Sequence, residues 1–159
     1  MKRRYLTLFL FLAVLSFGSA ASAWCESHPD VQTEFKSSSL VFVGEVVGVQ
    51  EVVEPGGFVA GTFYTVLVKE VLKGHPSQTM KLYSENSSGR FPMKVEIDYL
   101  VFASPEVFEG IKEPQLAINN CGNSRTLMEA SSALSAARKL SAGMAQPRAP
   151  GDAPEAARP

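Results

Sequence analysis

From Leu40 the chain runs through β-branched and apolar residues with a single charge: residues 40–49 read LVFVGEVVGV. A run of this composition predicts a strand, and Gly44 and Gly48 within it predict bends or bulges. After the turn Pro55-Gly56-Gly57, a second strand is predicted over about residues 58–72. There Tyr64, Val66 and Val68 alternate with Thr65, Leu67 and Lys69, as a sheet with one buried face requires. Lys73-Gly74-His75-Pro76 ends it. Residues 79–84 (TMKLYS) predict a third, shorter strand. Residues 98–103 (DYLVFA), apolar almost throughout, predict a central fourth, and residues 115–119 (QLAIN) a fifth. Short strands at this spacing, with turn signals between them, predict an all-β fold: a small closed or partly open β-barrel.

Two segments change period. Asp30 is placed to cap a short helical stretch over residues 31–36, which Ser37-Ser38-Ser39 breaks. Near the far end, Thr126-Leu127-Met128-Glu129 has capping-box spacing, a hydroxyl followed three residues later by a carboxylate. Leu127, Ala130, Leu134 and Ala137 then recur at helical spacing. Arg138 and Lys139 fall in what is then the last turn, where positive charge suits the helix dipole. One C-terminal amphipathic helix is therefore predicted over residues 126–140, packed on the barrel. From Ser141 the chain is rich in Ala, Pro and Gly without periodicity, and 144–159 reads as a disordered tail.

The start of the chain reads differently. Lys2, Arg3 and Arg4 precede an apolar run over residues 6–17, and Ala21-Ser22-Ala23 follows with small residues suited to cleavage. This is the pattern of a secretory signal peptide over residues 1–23, and the run is shorter than the roughly 20 residues a bilayer span requires. Trp24 before Cys25 does not suit a lipoprotein signal. The expected organisation is a signal peptide over 1–23, one domain over 24–140 and a tail over 141–159, without a membrane span.

Charge and composition narrow the function. The 159 residues carry 15 Lys+Arg against 16 Asp+Glu, and one domain is the natural content of that length. Removing Lys2, Arg3 and Arg4 leaves 12 against 16, a net charge of −4. An exported, mildly acidic chain is a poor partner for nucleic acid, whose affinity rests on phosphate neutralisation by Lys and Arg. Two cysteines and two histidines leave little material for a metal centre of its own, and no cofactor is called for. No nucleophile elbow, phosphate-cradling glycine loop or His pair at metal spacing is present. Glu45 and Asp98 do not make a catalytic pair on spacing alone. The sequence therefore predicts a binding protein and not an enzyme.

In an oxidising compartment the lone Cys25 and Cys121 most simply pair, free thiols or an intermolecular bridge being the alternatives. Trp24 is either an aromatic anchor for a partner or a ring folded back beside the disulfide. His28, next to Pro29, reads as a surface or capping residue, and His75 as solvated. Phe42, Tyr64, Tyr99 and Phe102 read as core. Phe58 and Phe63, near the first hairpin tip, are candidate exposed contacts, while Glu51 and Glu54 keep that tip solvated.

The order of these pieces resembles the N-terminal domain of tissue inhibitors of metalloproteinases and, more broadly, the netrin-like modules. It begins at Cys25, His28-Pro29 and Phe35. It continues through Leu40-Val41-Phe42-Val43-Gly44-Glu45-Val46, Tyr64-Thr65-Val66-Leu67-Val68 and Val71-Leu72-Lys73-Gly74. It ends at Tyr99-Leu100-Val101-Phe102-Ala103, Cys121-Gly122 and the helix, so that it spans about residues 25–140. The resemblance implies a five-stranded OB-fold barrel with flanking helices. It also implies a function: the mature N-terminus enters a protease active site, where the α-amine and carbonyl of the first residue chelate the catalytic zinc. A Cys25–Cys121 bridge would hold that ridge in place, with Trp24, Cys25, Glu26 and Ser27 as its inhibitory, partner-binding residues.

Two departures bear on that implication. Family inhibitors begin with one cysteine and carry another two residues later; Cys25 matches the second, and the first is missing. Its usual partner, in a Cys-Gly step before the Tyr-Leu strand, is also missing, and the stretch reads Ser87-Ser88-Gly89-Arg90. Cleavage after Ala23 presents Trp24 first; cleavage after Ser22 presents Ala23. The expected partner is a zinc metalloprotease. The alternative is another extracellular or envelope protein or glycan, bound without inhibition through the barrel face and loops.

Overall fold

The computed structural model of the protein describes Cys25 and residues 27–145. The expected signal peptide and the segment from 146 lie outside the described residues, as do Trp24 and Glu26. Helix α1 is Val31–Ser37. Six strands follow: β1 Leu40–Val53, β2 Val59–Lys73, β3 Thr79–Glu85, β4 Asp98–Glu106, β5 Gln115–Ile118 and the two-residue β6 Arg125–Thr126. Helix α2, Ser131–Ala145, closes the described chain. Among the described residues no helix is long and apolar enough to cross a membrane.

The strands form one antiparallel sheet in the order β3-β2-β1-β4-β5, with β6 beside β4. The expectation of an all-β fold with a flanking helix therefore holds, and all five expected strands are present. The sheet curls until β3 and β5, its outer strands, lie against each other. The glycines of β1 do what the pattern predicted. Register shifts against β2 occur between Val43 and Gly44 and between Val46 and Gly48. A Cβ on Gly44 would stand 2.6 Å from Val66 Cγ1 and 2.8 Å from the Leu67 carbonyl. Only glycine lets β1 bend so tightly over β2.

Alternation along β1 and β4 divides the apolar residues between two cores. Phe42, Val46, Tyr64, Val66, Leu82, Tyr99, Val101 and Ala103 face inside the curl. Val41, Val43, Leu100 and Phe102 point to the other side, where Phe35 of α1 and Ala130, Ala133 and Ala137 cover them. This explains the near-continuous apolar run of β4: both of its faces are buried. The small alanines of α2 allow the helix to sit close to the sheet.

The C-terminal helix does not start where the spacing predicted. Thr126 belongs to β6, paired with Tyr99. Its hydroxyl donates to the Glu129 carboxylate at 2.8 Å, and Glu129 N–H returns to the Thr126 carbonyl at 3.0 Å. The apparent capping box thus closes a turn, and the helix begins at Ser131 and runs on to Ala145. The expected boundary at 140 is corrected accordingly: residues 141–145, read as the start of the tail, continue the helix. Arg138 is mid-helix and not in a last turn; its guanidinium forks onto Glu70 of β2 at 2.9 and 2.7 Å.

Candidate functional site

Cys25 and Cys121 form a disulfide across a sequence separation of 96. The bridge seats the start of the described chain on the 119–124 loop, between β5 and β6. Other groups hold the same junction. His28, exposed at the surface, donates Nδ1–H to the Cys121 carbonyl at 3.0 Å; the bond fastens the segment to the loop and caps no helix. Asn123 Nδ2 donates to the Pro29 carbonyl at 2.9 Å. Asn119 Oδ1 accepts from Cys121 N–H at 2.9 Å.

Beneath the loop lies Glu34 of α1, a buried carboxylate. Its Oε2 accepts from Asn123 N–H at 2.6 Å and from Asn123 Nδ2 at 2.7 Å. Gly122 passes so near that a Cβ there would meet Glu34 Oε1 and stand 2.8 Å from Glu34 Cδ. Helix α1 is itself fixed at both ends. Asp30 accepts from Thr33 N–H at 2.9 Å and from Thr33 Oγ1 at 2.7 Å, which keeps the Asp30 carboxyl below its usual range. At the other end Lys73 Nζ donates to the carbonyls of Phe35, Lys36 and Ser38 at 2.7, 2.8 and 2.6 Å. The N-terminal segment thus rests on a rigid support.

Ser88 and Gly89, in the β3–β4 connection, line one depression of about 450 Å³ with Asn119, Asn120 and Cys121. The Ser88–Gly89 stretch thus faces the same depression as Cys121. Of the four ridge residues expected from sequence, Cys25 is half-buried in the disulfide and Ser27 is exposed; Trp24 and Glu26 lie outside the described residues. The two hairpin candidates separate. Phe58 at the tip is 58% exposed. Phe63 is partly covered, with Tyr83 at 5.0 Å between ring centroids and Lys81 Nζ above its ring at 5.6 Å. Phe42, Tyr64, Tyr99 and Phe102 are all buried, as expected.

A second concavity was not foreseen. A groove of about 930 Å³ runs between the β3–β4 connection and the β6–α2 turn, lined by Phe91, Pro92, Ile97, Leu127 and Met128 together with charged side chains of both signs. Met128 is 94% exposed there. Reading residues 126–129 as the first turn of a helix concealed it. The carboxylates Glu45 and Asp98 share one ammonium: Lys69 Nζ lies 2.8 Å from Glu45 Oε2 and 2.7 Å from Asp98 Oδ1. Asp98 first, and then Glu45, raise the Lys69 pKa above its ordinary value. Among the described residues no group of three His, Cys, Asp or Glu side chains gathers as a metal site would need.

Compared with known proteins, the chain matches no protein-family model and no curated sequence.

Proposed function

We propose that this chain is an exported, netrin-like OB-barrel module that acts by binding, and that it resembles tissue inhibitors of metalloproteinases in mechanism as well as plan. Its ligand is a zinc endopeptidase, engaged by the mature N-terminus. The observation that carries this reading is the Cys25–Cys121 bridge, which fastens the N-terminal segment to a supported loop whose Cys121 shares a depression with Ser88 and Gly89. The order β3-β2-β1-β4-β5, with β3 against β5, supports the five-stranded barrel. A free α-amine and the following carbonyl, held on such a ridge, can displace water from the open coordination position of a catalytic zinc. Prior fixing of the ridge lowers the ordering cost of binding.

The test uses the exported protein, its first residue established by N-terminal sequencing. It should inhibit a zinc endopeptidase, and one added N-terminal residue should abolish inhibition. Equal inhibition by the extended form rejects chelation.

The second reading, a non-inhibitory protein- or glycan-binding module of the cell envelope, is favoured by the groove at Met128 and by serine and glycine where the family's other bridge would anchor. It predicts no inhibition across a panel of metalloproteases and a binding partner lost on Met128→Asp.

A further inference from the structure

Strand β1 has two neighbours for only part of its length. Residues 41–45 lie between β4 on one side and β2 on the other. The β4 side ends at Val46, where Val46 N–H donates to the Ile97 carbonyl and Glu96 N–H to the Val46 carbonyl. From Gly48 to Val53 the strand pairs with β2 alone, Val47 standing unpaired where the register shifts, and among the described residues no backbone hydrogen bond reaches residues 47–53 from the other side. This open edge is seven residues, about 23 Å. Its sequence is VGVQEVV, without proline or lysine, and Glu51 is its only charge. Val47, Val49 and Val53 are about half exposed, as is Val95 in the segment that leads up to Ile97. Soluble proteins normally blunt an edge of this length with Lys, Pro, a bulge or a covering loop; here the register shifts fall only at its two ends, between Val46 and Gly48 and between Val52 and Val53, and leave the stretch around Gln50 regular.

We propose that residues 47–53 form a self-pairing edge, through which two copies of the chain join antiparallel about Gln50, a pairing independent of any role of the N-terminus. The residues select this occupant. A two-fold axis through Gln50, normal to the sheet, uses the whole open length. It sets Val47 opposite Val53 and Val49 opposite Glu51, and it preserves the face of every side chain, as a continuous sheet demands. No like charges then stand opposite each other, whereas a register centred on Glu51 would oppose two carboxylates. The incoming strand also reaches the end of the β4 ladder, where it can cover exposed Val95 and Ile97 of the other copy.

In this register the two Gln50 Cα atoms lie about 4.5–5.5 Å apart, within disulfide reach. The mature protein should show a weight-average mass that rises with concentration toward twice the monomer in analytical ultracentrifugation. Gln50→Lys, a charge placed at the centre of the pair, should lower the association constant at least about tenfold with the thermal midpoint of the monomer unchanged. On mild oxidation Gln50→Cys should form a covalent dimer, while Val71→Cys, at an exposed position outside the edge, should not. A monomer at every concentration, a dimer indifferent to Gln50→Lys, or Gln50→Cys that fails to cross-link would each overturn the proposal.

Discussion

Asn123 stands 89 positions after Glu34 and donates both its backbone N–H and its side-chain amide to the same Glu34 oxygen, at 2.6 and 2.7 Å. The carboxylate ties α1 to the loop that carries Cys121. Truncation would leave a part-buried N–H and an amide without their charged acceptor. Glu34→Ala should therefore cost about 2–3 kcal/mol, and Glu34→Gln, which keeps one acceptor, about half of that. Urea denaturation at unchanged m-value checks both.

Gly122 shares this contact, because a side chain there would run into Glu34 and come within 3.1 Å of the Asn119 carbonyl. Gly122→Ala should destabilise the wild-type protein more than it destabilises Glu34→Ala, in which the obstructing carboxylate is gone. A double-mutant cycle reads this directly. Strict additivity would show that the loop backbone, and not Glu34, is what crowds the glycine.

The disulfide constrains the unfolded chain more than it shapes the sheet. With its ends 96 positions apart in sequence, its removal by paired Cys25→Ala and Cys121→Ala should lower stability by about 4–5 kcal/mol on the chain-entropy account. The hydrogen bonds from His28 and Asn123 remain, and both cores are untouched. Amide exchange should accordingly stay slow in β1 and β4, while the amides of residues 121 and 122, which bond to the Asn119 side chain and carbonyl, lose protection. Loss of protection in β4 as well would mean that the bridge is needed to form the sheet.

How far the fold could be read in advance depended on the range of the interactions. Alternation in β2 and the apolar run of β4 are local, and the strands formed as they predicted; so did the Asp30 cap. The start of α2 was misplaced because a Thr-x-x-Glu spacing serves equally well to close a turn. The ladder between Thr126 and Tyr99, which decides the matter, is tertiary. Its end was misplaced because nothing in residues 141–145 forbids a helix, and the first proline after it is Pro147. The support under the N-terminal segment could not be read at all. Glu34 and Lys73 look like ordinary charges in sequence, and only the fold brings Asn123 to one and three carbonyls to the other.

Lys73 is the clearest of these. Its ammonium accounts for three carbonyls at the end of α1 and stands 5.7 Å from the centroid of the Phe35 ring. Lys73→Met keeps the apolar stem but removes every donor, so it should cost about 1–3 kcal/mol. Lys73→Arg offers a differently shaped donor and should restore only part of the loss. The local readout is faster amide exchange at the end of α1, specifically at Ser38, whose N–H bonds to the Glu34 carbonyl.

Two carboxylates give the stability of the protein an acid limb. Arg138 donates twice to Glu70 and, by hydrogen bond first and charge second, holds the Glu70 carboxyl below its usual range. The Thr33 hydroxyl, and then the Thr33 N–H, do the same for Asp30. A carboxyl whose pKa is lower in the folded than in the unfolded chain contributes stability that is complete above the ordinary carboxylate range. That contribution is lost as pH falls through the depressed folded value. Glu70→Gln should therefore lower the thermal midpoint at neutral pH, and the gap to the wild type should close on acidification. The neutral-pH gap should also shrink with added salt, since Arg138 is exposed to solvent. Melting curves for both proteins across the acid range test the sign: a gap that widened toward low pH would mean that Glu70 stabilises the fold through its protonated form and not through Arg138.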